Sequence, residues 1–199
     1  MIKTPPITAM SDAFSVAGKN VVVTGGNRGI GLGISTAFAE CGANVAILCR
    51  NSASAEVIAA DFSSKYGGTY ASIACDISDS ASVIAAAAKV FELFGTVDVL
   101  VNNAGIATTT PFLAENGLSE WHKVIDTNLH GTAQVVHAFA PKMRDAARGG
   151  SIINITSIGG QRVSNSRDHH NSPYNVSKAG LDIFTKYLAI VLGDYGIRV

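Results

Sequence analysis

A chain of 199 residues, 47% hydrophobic and 15% charged, can bury a full core, so a single domain is expected. Its 15 basic and 15 acidic residues cancel and are interleaved, which leaves no charged face for a phosphate backbone or an anionic membrane. Nucleic-acid and membrane-surface partners are therefore set aside, and the chain reads as cytoplasmic: Cys41, Cys49 and Cys75 lack any C-x-x-C spacing and sit in apolar periodic segments as reduced core residues.

In chain order, the opening "MIKTPPITAMSDAFSVAGKN" lacks the apolar stretch and cleavage site of a secretory signal, and no apolar run reaches membrane-spanning length. Residues 1–14 read as a flexible leader that Pro5 and Pro6 keep non-helical, followed by a dinucleotide-binding catalytic domain over 15–199. Short β-branched runs at 20–24, 44–49, 69–75, 97–101 and 151–156 predict strands. Between them, apolar residues recur at helical spacing. Ile30, Ile34, Ala37, Phe38 and Cys41 are expected to line one face of the first helix, and Val83, Ala87, Val90, Phe91 and Phe94 one face of the third. Alternating strands and helices with near-continuously apolar strands predict an α/β fold: a Rossmann-type doubly wound parallel sheet with helices on both faces.

The first strand runs into "TGGNRGIG" at 24–31, whose Gly25, Gly29 and Gly31 occupy the strand-to-helix turn where backbone N–H groups approach a pyrophosphate. A phosphate loop of the Walker type is excluded, because Leu32 follows Gly31 where lysine is needed. "YNVSK" at 174–178 puts a phenol and an ammonium one helical turn apart. At about 4 Å and an effective dielectric near 20, such a pair gains roughly 4 kcal/mol, enough to bring a phenol toward neutrality before desolvation opposes it. That would make Tyr174 a usable general acid/base. Ser157 fails as a hydrolase nucleophile in a G-x-S-x-G elbow, since Ile155 stands where glycine is required. His122, His130 and His137 lie on the helical segment before Pro141, but their spacing and neighbours complete no metal-ligand set, so no metal is expected. His169 and His170 read as loop residues.

"TGGNRGIG", "NNAG" at 102–105, Asn128, Ser157 and "YNVSK", in this order, resemble the short-chain dehydrogenase/reductase family over roughly Phe14 to Val199. The resemblance implies hydride transfer between a nicotinamide cofactor and a small carbonyl or alcohol substrate. Tyr174 would exchange the proton, Ser157 would hold the substrate oxygen, Lys178 would tune the phenol and bond the nicotinamide ribose, and Asn128 would help hold a proton-relaying water. Cofactor contacts are implied for Gly25, Asn27, Arg28, Gly29, Ile30 and Gly31 in the turn. Further contacts are implied for Arg50, for Asp76 and Ile77 after the third strand, for Asn103, Ala104 and Gly105, and for Tyr174 and Lys178. The second strand ends in Cys49 rather than the carboxylate that selects NAD, and Arg28 and Arg50 suit a 2′-phosphate, which predicts NADP(H).

Two departures from the family pattern stand out. Seventeen positions separate Ser157 from Tyr174, an unusually long spacing, so an inserted loop borders the substrate pocket; Ser164 and Ser166 are weaker candidates than Ser157. The chain stops at "GIRV", where relatives begin a sixth strand and a substrate-covering segment, so that segment is expected to be missing. The alternative to an enzyme is accordingly a truncated, non-catalytic dinucleotide-binding module. By the same resemblance the full-length parent is expected to be a homodimer or homotetramer paired through Ser119–Arg144 and Pro173–Gly193. Polar residues in the inserted loop point weakly to sugar, polyol or hydroxy-ketone substrates.

Overall fold

β-branched and apolar residues pack into six short strands: β1 (Asn20–Thr24), β2 (Asn44–Cys49), β3 (Tyr70–Ala74), β4 (Val99–Asn102), β5 (Gly150–Asn154) and β6 (Ile197–Arg198). In the computed structural model, which describes residues 14–163 and 171–199, all the strand pairs are parallel and the order is β3-β2-β1-β4-β5-β6. The helices are α1 (Gly29–Glu40), α2 (Ser52–Tyr66), α3 (Ser80–Phe94), α4 (Gly117–Ile125), α5 (Gly131–Asp145) and α6 (Ser172–Gly193); a π turn, Asp126–His130, joins α4 to α5. Residues 1–13 of the expected leader, with Ser164, Ser166, His169 and His170, lie outside the described residues.

Because neighbouring side chains on a strand point to opposite faces, each central strand feeds two cores. Val22, Leu48, Leu100 and Ile152 pack with Val83 and Val90 of α3, Val135 and Phe139 of α5 and Leu188 of α6. On the other face Val21, Val23, Val45, Ile47 and Val101 pack with Ala39 of α1 and with Ala55 and Phe62 of α2. Burial on both faces is why these strands read as apolar runs. The strand order reverses between β1 and β4, which leaves a crevice at their carboxyl ends.

Two readings of local structure need correction. β3 and β5 stop short of the ends of their apolar runs, at Ala74 and Asn154, and β4 begins only at Val99. On α1 the buried line is Gly31, Ser35 and Ala39, while Ile30 is 70% exposed and Ala37 and Cys41 are exposed. The helix lies so close to the turn before it that small residues take the contact line and Leu32, Ile34 and Phe38 flank it half-buried. Cys49 and Cys75 are buried, as read. The segment read as helical over Ser119–Arg144 does run through Pro141, which lies inside α5.

Candidate active site

Gly25 and Gly29 adopt left-handed backbone, at φ +64° and +52°, and so turn the chain from β1 into α1. A β-carbon on Gly31 would lie 2.2 Å from the Gly25 carbonyl oxygen and 2.4 Å from Asn103 Nδ2, so only glycine lets the helix start here. The neighbouring loop after β4 is tied to this turn. Backbone N–H groups of Asn103 and Ala104 both donate to Thr24 Oγ1 at 3.0 Å, and Asn103 Nδ2 donates to the carbonyls of Thr24 (3.0 Å) and Gly25 (3.3 Å).

Along this seam runs an open groove of about 710 Å³. Its floor and walls include Gly25, Asn27, Arg28, Gly29, Ile30 and Gly31 from the glycine turn and Arg50 beyond β2. Asp76 and Ile77 beyond β3 and Asn103, Ala104 and Gly105 beyond β4 also line it, whereas Tyr174 and Lys178 of the predicted set do not. Sequence reasoning missed Asn51, Ser54, Ile106 and Thr127, which also line it. Asn27 Nδ2 donates to Ser54 Oγ at 2.9 Å, a contact across the start of α2 that no spacing rule signals. At the end of β2, Cys49 donates to the Asn51 carbonyl (3.1 Å), and burial pushes its thiol pKa up. Burial also pushes Cys75 up to about 11, so both thiols are neutral near pH 7. Asp76 is held below the usual carboxylate value, chiefly by the Ser78 hydroxyl at 2.7 Å, with the Ser78 N–H at 3.0 Å adding to it.

The second constellation forms beside the groove. Asn128 sits in the π turn, fully buried; its Oδ1 accepts from the Ile106 N–H (2.8 Å), and its Nδ2 donates to the Ile106 carbonyl (2.8 Å) and Ser177 Oγ (3.1 Å). Ser177 in turn donates to the Tyr174 carbonyl at 2.7 Å. The widened turn lets an interior side chain reach both a groove-lining loop and α6, a use of π geometry common at functional sites. Lys178 is 4% exposed; its Nζ donates to the Ile155 carbonyl at 2.5 Å and lies 5.6 Å from the centroid of the Tyr174 ring. Burial lowers its pKa, and the Asp182 carboxylate partly offsets this. Ser157 lies three residues past β5 and caps a 3₁₀ turn, Ile158–Gly160, by accepting the Gly159 N–H at 3.1 Å. A β-carbon on Gly160 would lie 2.8 Å from the backbone of Lys178 and Ala179, so this turn rests directly on the first turns of α6. Ser157, Tyr174 and Lys178 are outside the groove's lining, and the hydrogen-bond path through Ile106, Asn128 and Ser177 connects it to Tyr174.

Elsewhere, His122, His130 and His137 are exposed, and His130 pairs with Asp126 at 2.9 Å. Among the described residues there is no group of three or more potential metal ligands and no helix long and apolar enough to cross a membrane.

A parallel sheet in this order, with a glycine turn at its switch point and a lysine buried against a tyrosine one turn away, places the molecule among Rossmann-type oxidoreductases. The chain belongs to the short chain dehydrogenase family, which it matches over residues 19–199. It is 41% identical over 181 residues to the 3-oxoacyl-(acyl-carrier-protein) reductase of Chlamydia muridarum, covering 91% of this chain and 71% of that protein. It is 38% identical over 186 residues to D-threitol dehydrogenase of Mycolicibacterium smegmatis, covering 94% of this chain and 69% of that protein. The crystal structure of L-sorbose reductase from Gluconobacter frateurii, complexed with NADPH and L-sorbose, superposes with a TM-score of 0.84 at 31% identity, over 93% of this chain and 68% of that one.

Proposed function

We propose that this protein is an NADP(H)-dependent reductase or dehydrogenase that interconverts a carbonyl and a secondary alcohol on a small polyhydroxylated molecule such as a sugar, polyol or hydroxy-ketone. The observation that carries the reading is the buried Lys178 ammonium held against the Tyr174 ring, beside the groove at the β1/β4 switch point. The glycine turn is open to a pyrophosphate at Gly29, where a built β-carbon would meet nothing within 4 Å beyond its chain neighbours and its own helix. Gly25 to Gly31 would hold the dinucleotide's pyrophosphate, and Asp76 and Ile77 its adenine. Arg28 and Arg50, with Cys49 in place of a carboxylate, would accept a 2′-phosphate. When bound, the cofactor supplies or accepts the hydride at the substrate carbon.

Tyr174 gives its phenolic proton to the carbonyl oxygen as the carbon is reduced, and takes it back in the oxidative direction. Lys178 lies beside the ring that carries the negative charge once the proton has left, and it would bond the nicotinamide ribose. Ser157 donates to the substrate oxygen and orients it. Asn128 fixes the Ile106 loop and helps hold a water through which the proton is replaced. The sugar and polyol class draws support from the D-threitol dehydrogenase and L-sorbose reductase similarities. The protein would act in the cytoplasm as a homodimer or homotetramer.

The test is NADPH oxidation by the chain with L-sorbose as substrate. We expect turnover that falls by about 10²–10⁴ in Tyr174→Phe, and a tighter dissociation constant for NADPH than for NADH. Unchanged turnover in Tyr174→Phe would overturn the mechanism, and tighter NADH binding would overturn the cofactor choice. NADPH binding with no turnover on any ketone would instead favour a non-catalytic binding module.

A further inference from the structure

Between the catalytic helix and the sheet lies a polar chain that the reaction itself does not use. Asn102 at the end of β4 and Asn154 at the end of β5 are register partners. Asn102 Nδ2 donates to Asn154 Oδ1 at 2.8 Å, Asn154 Nδ2 donates to Thr185 Oγ1 at 2.9 Å, and the Thr185 hydroxyl donates to the Leu181 carbonyl at 2.7 Å. Each donor thus points the same way, from β4 through β5 onto α6. Asn102 is 3% exposed and its own Oδ1 has no partner, so this amide is kept in the interior at a cost that an apolar residue would not incur, while Asn154 is half-buried.

The placement suggests what that cost secures. Tyr174, Lys178, Leu181 and Thr185 fall at i, i+4, i+7 and i+11, a single stripe of α6. Lys178 reaches the Ile155 carbonyl and Thr185 reaches the Asn154 side chain, so consecutive residues of one strand end hold the same stripe two turns apart. Apolar packing resists sliding only weakly because it has no direction, whereas a hydrogen bond fixes both distance and angle. We infer that Asn154 and Thr185 are positioning residues, a brace anchored on Asn102 that sets the rotation and height of α6 on β5 and so places Tyr174 and Lys178 against the groove. This rests on the reading of Tyr174 and Lys178 as the reacting pair.

Thr185→Val keeps the shape of the side chain but removes both the acceptor for Asn154 and the bond to Leu181, whereas Thr185→Ser keeps the hydroxyl. Both variants and the parent chain are to be compared by NADPH turnover with L-sorbose and by hydrogen exchange of peptides covering 174–185 and 20–40. For Thr185→Val we expect kcat to fall about tenfold and the KM for NADPH to rise by less than that, because the pyrophosphate and adenine contacts lie on the loops after β1 to β4 rather than on α6. Exchange should quicken in 174–185 but not in 20–40, and Thr185→Ser should restore both properties. Parent-like kcat and exchange in Thr185→Val would overturn the brace, as would equal quickening in both peptides or failure of the serine variant to restore them. Failure of the reaction scheme is read separately, as persistence of turnover in Tyr174→Phe; the exchange comparison still decides whether the brace holds the helix.

Discussion

Lys178 shows how much a single residue can hold. Its ammonium is buried, bonded to one carbonyl and set against one ring, and burial lowers its pKa from the ordinary 10.5 with Asp182 opposing. Between the depressed folded value and 10.5, the unfolded chain binds the proton and the folded chain does not. The unfolding free energy therefore rises with pH across that window: the burial penalty is complete below the folded pKa and gone above 10.5. Thermal unfolding of the parent chain and of Lys178→Met, measured from pH 7 to pH 10.5, should show the difference in Tm (parent minus variant) increasing with pH. Each 1 kcal/mol corresponds to roughly 2–4 °C for a chain of this size. A difference that stays flat would mean that the folded protein does not penalise the ammonium. The Tyr174 and Lys178 spacing was legible because helical periodicity is written in side chains. The lysine's partner was not, because a backbone carbonyl such as that of Ile155 leaves no mark in the sequence.

At the scale of an element, the turn from β1 into α1 depends on one close approach. A methyl group at position 31 meets the Gly25 carbonyl at 2.2 Å, and the helix cannot back away while Ser35 Oγ donates to the Gly26 carbonyl at 3.1 Å. Gly33, two residues on, is exposed with nothing within 4 Å of a built β-carbon. Gly31→Ala should therefore destabilise the chain by about 1–3 kcal/mol through overpacking and weaken NADPH binding. Gly33→Ala should stabilise it by about 0.5–1 kcal/mol through helix propensity alone. Denaturant unfolding of the two variants checks this, and similar effects at both positions would mean the turn tolerates a β-carbon. The same contact explains where the sequence misled. An apolar stripe through Ile30, Ala37 and Cys41 satisfies the usual periodicity, yet a helix pressed against a glycine turn buries its smallest residues instead. The strands were legible as apolar runs, and β1 and β2 end where the runs do, whereas β3 and β5 stop earlier because the residues that follow turn toward the site while keeping the same composition.

For the whole molecule, alternating elements were enough to imply a parallel sheet covered on both faces, and the glycine turn located its switch point. What the outer surface does required the structure. On α6, Val176, Ile183, Tyr187 and Ile190 are 47%, 65%, 59% and 78% exposed, and they share a face turned away from the stripe that carries Lys178 and Thr185. Beside them a groove of about 400 Å³ opens between α5 and α6, lined by Ala133, Val136, Ala140, Phe184 and Leu188 among others. A helix that is apolar on both sides has a second surface to bury, and a ridge next to a groove is the shape that a two-fold axis makes self-complementary. In the homodimer proposed above, each copy's α6 ridge would enter the other's α5/α6 groove. The pair Ile183→Glu and Ile190→Glu places charge on that ridge at positions already facing solvent, so the fold of each copy should survive. Sedimentation at micromolar concentration should give a dimeric mass for the parent chain and a monomeric mass for the double variant with unchanged helix content. A monomeric parent, or a double variant that still pairs, would move the contact away from α6.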